Sequence, residues 1–269
     1  MQNISWTKTI GFAALIVVAI LLSKGYFATS NNSGSLTQNP TPPPPIVVPP
    51  PPPPIQEPEP SPTPPPLPAS IPTEIVRGNT SKQQVIFTFD GGAGNHSGEE
   101  ILSVLAKHNV KGTFFLTGKF ADQNPGLTKR FVDEGHEIFN HTYNHPYLTE
   151  LTDAEIIKEF ADTETAIKRI TGKSTKPYFR PPYGSRTPAV LKVAAAEGYQ
   201  SVFWTLDALD WKVGITEAEV KKRILDKVEP GAIYLMHIGD DITGNILDEV
   251  FTEIKSRNYS IVSLTEGLK

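Results

Sequence analysis

Cysteine is absent from the 269-residue chain. That excludes disulfides, thiolate catalysis, Cys-ligated zinc and a bacterial lipoprotein anchor. A basic excess is also missing, since the formal net charge is −4. The electrostatic footprint of a nucleic-acid-binding protein is therefore lacking. There is no glycine-rich dinucleotide fingerprint either. Proline is scarce wherever a core has to form. Of the 26 prolines, 19 lie between Pro40 and Pro72, and only seven are spread over the last two hundred residues. Proline has no amide donor, so the dense stretch cannot pack as helix or sheet. The globular part must start near Thr73 and holds about 195 residues, ample for one buried core.

What precedes that core is an apolar run and a stalk. Residues 10–22 read IGFAALIVVAILL, with Lys8 before and Lys24 after. Thirteen helical residues span about 20 Å, short of a ~30 Å hydrocarbon core. The run suits a signal peptide by length, with Ala28-Thr29-Ser30 as a cleavage site. It also suits a membrane anchor if the lysines snorkel and Trp6, Tyr26 and Phe27 sit at the interfaces. Either way the C-terminal part is exported, anchored or secreted. The proline-rich segment should be polyproline II and could reach on the order of 100 Å. The expected organisation is a signal segment over 1–30, a disordered stalk over 31–72 and a catalytic domain over 73–269. No feature marks a protein partner.

After Thr73 short β-forming runs alternate with helical patterns. The expected strands are Val85–Phe89, Gly112–Leu116, Glu137–Phe139, Tyr178–Phe179, Ser201–Thr205, Ala232–Met236 and Ser260–Leu264. Between them, helices are expected over Glu99–His108, Leu127–Glu134, Asp153–Thr171, Pro188–Glu197, Glu217–Val228 and Asn245–Arg257. Asp153 is a candidate cap for the longest, and Gly172 follows its end. About seven β-then-α units imply an α/β fold with a parallel sheet, closed as a distorted (β/α) barrel. In such barrels the chemistry sits where strands end.

Polar residues follow one strand after another. Asp90 follows VIFTF, His141 and His145 follow EIF, and Arg180 follows YF. Asp207 and Asp210 follow SVFWT, and His237 follows IYLM. Two histidines four apart would meet on one face of a helical turn and share a metal, although surface or capping histidines fit the spacing too. Without cysteine, the metal would be a hard-to-borderline divalent ion. Asp90, before two glycines, is either a turn former or a general base, and Arg180 could pair with it. His237 is a candidate general acid with Asp210 behind it, or a satisfied core histidine. Trp204, Trp211 and Tyr183 offer flat faces of the kind that stack on sugars. His96, His108 and His136 read as structural.

Taken together, these segments resemble the NodB-type polysaccharide deacetylases of carbohydrate esterase family four. Thr88-Phe89-Asp90-Gly91-Gly92 resembles the family's TFDDG motif. Gly135 to His145, GHEIFNHTYNH, resembles GHEIGNHTxxH. Arg180-Pro181-Pro182-Tyr183-Gly184, Trp204 to Trp211 and Leu235-Met236-His237 are similar to the third, fourth and fifth motifs. The resemblance implies a NodB-homology barrel that removes acetyl groups from polysaccharides. It implies Asp90 as base, oriented by Arg180, with His141 and His145 as ligands of zinc, cobalt or a similar divalent ion. It further implies the Tyr183 amide as an oxyanion donor and His237, tuned by Asp210, as the acid. Pro181, Trp211 and Leu235 would line the substrate side. Export and a stalk favour peptidoglycan N-acetylglucosamine, with chitin oligomers, N-acetylmuramic acid and acetylated xylan or exopolysaccharide as the alternatives. One position departs. Gly91 stands where the family carries an aspartate that is a third metal ligand. Water could take that place; Asp90 could bind the metal, with Asp240 or Asp241 as base; or the metal could be lost, leaving a glycan-binding module.

Overall fold

A computed structural model gives the fold and describes Ser70 and residues 72–92 and 94–269. The apolar run at 10–22 and nearly all of the proline-rich stalk lie outside the described residues. Among those described, no helix is long and apolar enough to cross a membrane.

The chain alternates as its pattern requires. In order come β1 (Gln84–Gly91), α1 (Gly98–Lys107), β2 (Thr113–Leu116), α2 (Gly118–Gln123), α3 (Pro125–Asp133) and β3 (Glu137–Asn140). They are followed by α4 (Asp153–Thr171), β4 (Tyr178–Phe179), α5 (Pro188–Ala196), β5 (Gln200–Ser201), β6 (Leu206–Asp207) and α6 (Glu217–Leu225). The series ends with β7 (Ile233–His237), α7 (Ile242–Ser256), β8 (Ser260–Val262) and α8 (Leu264–Gly267). The eight strands form one sheet in the order β5-β4-β3-β2-β1-β7-β6, with β8 beside β1. Every pairing is parallel. The result is the expected distorted (β/α) barrel. Among the described residues no pairing joins β5 to β6, so the barrel is open there.

β1 runs through the centre and shows how its alternation builds two layers. Val85, Phe87 and Phe89 pack outward with Phe114, Leu116, Tyr234 and Met236 against the helices. Ile86 packs inward with Phe115, Phe139, Ile233 and Val262. Asp90 continues the inward series, and Gly91 the outward one. The register then sets the height of the site. Asp90 lies beside His237 of β7 and Phe115 of β2, and Asn140 beside Phe179. The polar residues that follow these strands therefore emerge at one rim.

Two local expectations are corrected. The strand over Ser201–Thr205 does not form; β5 stops at Ser201 and β6 starts at Leu206. Between them the carbonyls of Val202 and Phe203 accept from the Arg180 guanidinium, both at 3.2 Å, while Val202 makes only an isolated bridge to Ile75. The cap of α4 is Thr152, not Asp153. Its hydroxyl accepts from the Glu155 amide while Glu155 returns a bond to the Thr152 amide, a reciprocal box. Gly172 ends that helix in the left-handed conformation at φ 72.

Candidate active site

A cavity of about 740 Å³ opens at the rim where the strands end. Asp90, His141, His145, Pro181 and Tyr183 line it on one side, with Trp211, Leu235 and His237 on the other. Arg180 and Asp210 do not face it. They lie buried behind Asp90 and His237.

The first pair is built by β1 and β4. Arg180 is fully buried, and its Nη1 donates to Asp90 Oδ1 at 2.6 Å. Its Nε and Nη2 are satisfied by the two carbonyls between β5 and β6, and its guanidinium lies 4.1 Å from the Phe115 ring centroid. Every direction in which Arg180 could move is occupied. The second pair is built by β7 and the segment after β6. His237 Nδ1 lies 2.8 Å from Asp210 Oδ1, and the His237 amide donates to Asp210 Oδ2 at 2.6 Å. Thr243, in the first turn of α7, donates its hydroxyl to the same Oδ2 at 2.6 Å. Burial alone would lower the His237 pKa, but the hydrogen bond and charge of Asp210 outweigh it and hold it at about 8. Burial and the Asp210 charge push the neighbouring Asp240 carboxyl up to about 6. Asp240 also lines the cavity, whereas Asp241 is an exposed partner of His96.

The histidine segment is not the expected helical turn. Residues 141–145 form an irregular loop, with Thr142 at φ 65 and His145 at φ 60. A β-branched residue adopts that region only under constraint. The buried Asn140 supplies one, accepting from the Thr142 amide at 2.9 Å while donating to the Phe160 carbonyl of α4. Glu159 of α4 supplies another, accepting from the Tyr143 and Asn144 amides at 2.7 and 2.8 Å. The two imidazoles still meet, with ring centroids 4.8 Å apart. Burial keeps both below the ordinary histidine range, His145 at about 4. Both are therefore neutral donors near pH 7.

The fit to a metal rests on His141. Its Nδ1 lies 2.9 Å from the Arg180 carbonyl, so Nδ1 carries the proton and Nε2 keeps its lone pair. That lone pair lies 3.4 Å from Asp90 Oδ2. Nε2 is thereby left to bind a cation, with the His145 ring beside it as the second donor. Among the described residues, however, no three His, Asp or Glu side chains converge as a metal site. Gly91 gives no help. A Cβ there would meet Leu116 Cδ2 at 2.7 Å and Ile238 Cδ1 at 3.0 Å, on the apolar outer face. The residues fit a divalent ion held by two imidazoles rather than a three-residue cage.

Thr243 and Glu159 carry no expectation from the sequence, and Asn140 stands there only as part of the second motif, with no role given. Thr243 and Glu159 act on partners distant along the chain, which nothing local in the sequence signals, while Asn140 acts on Thr142, two residues on. Of the remaining histidines, His136 is buried and accepts from the Gly112 amide, and His108 pairs with Asp248.

Known proteins are similar to this chain in sequence and fold. The polysaccharide deacetylase family model matches residues 77–202. The peptidoglycan-N-acetylmuramic acid deacetylase PdaA of Bacillus subtilis is 38% identical over 191 residues, covering 70% of this chain and 73% of that protein. The peptidoglycan-N-acetylglucosamine deacetylase of Bacillus cereus is 35% identical over 191 residues, covering 70% and 69%. Among solved structures, a mutant of a CE4 family pseudoenzyme with restored enzymatic activity, the parent being from Bacillus anthracis, is similar with a TM-score of 0.70. It is 36% identical and covers 74% of this chain and 72% of that one. On identity, coverage and fold, the chain belongs to the polysaccharide deacetylase family, hydrolases of carbon–nitrogen bonds other than peptide bonds.

Proposed function

We propose that this protein hydrolyses the acetamide of N-acetylglucosamine residues in a cell-envelope glycan, peptidoglycan before chitin-like polymers. The observation that carries the reading is the pair of proton-handling groups on one cavity. Asp90 is held by Arg180, and His237 is held by Asp210. Asp90 Oδ2 takes a proton from the attacking water as its oxygen bonds to the acetyl carbon. His237 gives its Nε2 proton to the nitrogen as the carbon–nitrogen bond breaks. Acetate and a free amino sugar leave. The Tyr183 amide donates to the oxyanion formed between these steps. His141 and His145 would hold a divalent ion, zinc or else cobalt, whose contribution is Lewis-acid polarisation of the acetyl carbonyl. Pro181, Leu235 and Trp211 shape the wall around the acetyl methyl and the sugar.

Export places this activity outside the cytoplasm. Residues 1–30 serve as signal segment or membrane anchor, 31–72 as a spacer and 73–269 as the catalytic part. The relatives divide between N-acetylglucosamine and N-acetylmuramic acid. Purified peptidoglycan treated with the full-length protein, digested and analysed by mass spectrometry decides between these sugars. Loss of acetyl from glucosamine is expected; loss from muramic acid alone overturns the substrate assignment. A second reading, a glycan-binding module with impaired chemistry, is favoured by Gly91 with its outward direction and by the likeness to a CE4 family pseudoenzyme.

A further inference from the structure

Two exposed rings, Tyr183 on the cavity lining and Tyr147 stacked on it, have no part in the chemistry above. Tyr147 is 47% exposed and Tyr183 is 59% exposed. Their rings stack with centroids 4.1 Å apart and planes 15° from parallel. The Tyr183 ring also meets His145 edge-on, 4.5 Å away. A row of rings therefore leads outward from the histidine pair to Tyr147.

This exposure is built into the backbone. Tyr147 directly precedes the 3₁₀ turn Leu148–Glu150, and Leu148 is fully buried. The Thr149 hydroxyl bonds Ser185 Oγ at 2.8 Å, tying that turn to the loop just after Tyr183. Tyr183 itself is held at φ 56, a conformation that persists only where its surroundings impose it. Trp211, 55% exposed, lines the cavity as well. Fixed apolar faces at the edge of a cavity mark a surface that something covers. A pyranose has the matching shape, with an apolar C–H face and hydroxyls around its rim. A tyrosine presents an apolar face and a hydroxyl at its edge.

We infer that Tyr147, backed by Tyr183, is a stacking subsite for the sugar ring next to the one whose acetyl group enters the cavity. The inference rests on the glycan-hydrolase reading and deepens it, because the protein then prefers oligomers to short glycans. The test uses the full-length protein with Tyr147→Ala and Tyr147→Phe, assayed on the dimer and tetramer of N-acetylglucosamine. The unmodified protein favours the tetramer in kcat/KM. Tyr147→Ala shrinks the tetramer-to-dimer ratio roughly five- to tenfold, and Tyr147→Phe restores it because the ring is kept. An unchanged ratio in Tyr147→Ala overturns the subsite while leaving the hydrolase reading intact. If the unmodified protein releases no acetate, the hydrolase reading fails, and calorimetric binding of the tetramer to the same three proteins decides the subsite. Weaker binding by Tyr147→Ala alone supports it; equal binding, or none in any of the three, overturns it.

Discussion

Asp210 sets the charge of His237, and this has consequences for both rate and stability. The His237 pKa of about 8 lies above its ordinary value of 6.5. The acid is therefore protonated at neutral pH, and kcat should fall as pH rises above about 8. Asp210→Asn should move that limb to lower pH and cut the rate roughly a hundredfold or more. A pH–rate profile of both proteins checks this. Stability follows the same sign. A group whose pKa rises on folding stabilises fully below the unfolded value, here 6.5, and the contribution fades as pH rises through about 8. About 2 kcal/mol is at stake, readable from denaturant midpoints at pH 6 and 9. Arg180 is the opposite kind of residue, buried and inert. Arg180→Met leaves the Asp90 carboxylate buried without its partner and should cost about 3–5 kcal/mol, seen in urea unfolding. Gly91→Asp places a carboxylate against Leu116 and Ile238. In the presence of chelator it should lower stability by about 1–3 kcal/mol, measured in the same titration.

At the scale of elements, strands and long helices were legible because burial imposes a period. β1 is buried on both faces and reads as a continuous apolar run. α4 shows its apolar stripe, and its range of Asp153–Thr171 matches the pattern residue for residue. What failed was governed by distant partners. At the break between β5 and β6 the carbonyls turn to the distant Arg180, and α2 is six residues long with too few turns to show a period. The histidine loop looks helical by spacing, yet Asn140 and Glu159 hold it in a different shape. That dependence is testable. Asn140→Leu removes the acceptor of the Thr142 amide and the donor to the Phe160 carbonyl. The buried Thr142 amide is left unmatched, for a loss of about 1–3 kcal/mol, while the Phe160 carbonyl keeps its helical partner. Zinc affinity by calorimetry should fall as well, because the loop that carries His141 and His145 loses the bond that holds Thr142.

For the molecule as a whole, one cavity gathers what the sequence disperses over 150 residues. Asp90, His141 and His145, Pro181 and Tyr183, Trp211, Leu235 and His237 line it, with Arg180 and Asp210 directly behind. Leu235 lies inside β7 and is identified only by the resemblance. Asp90, His141, His145, Arg180, Asp210 and His237 could be picked out from the sequence because each sits at or after the end of a strand, and parallel strands deliver their ends to one rim. The direction of Gly91 could not, since it depends on how far β1 extends and which face its last residue takes. That glycine makes metal dependence the centre of the account. The most direct measurement is acetate release from N-acetylglucosamine oligomers and peptidoglycan by the full-length protein, with zinc, with chelator, and with zinc restored after chelation. The account predicts release that chelator abolishes and zinc returns. No release at any zinc concentration, with glycan binding unaffected by chelator, would contradict it.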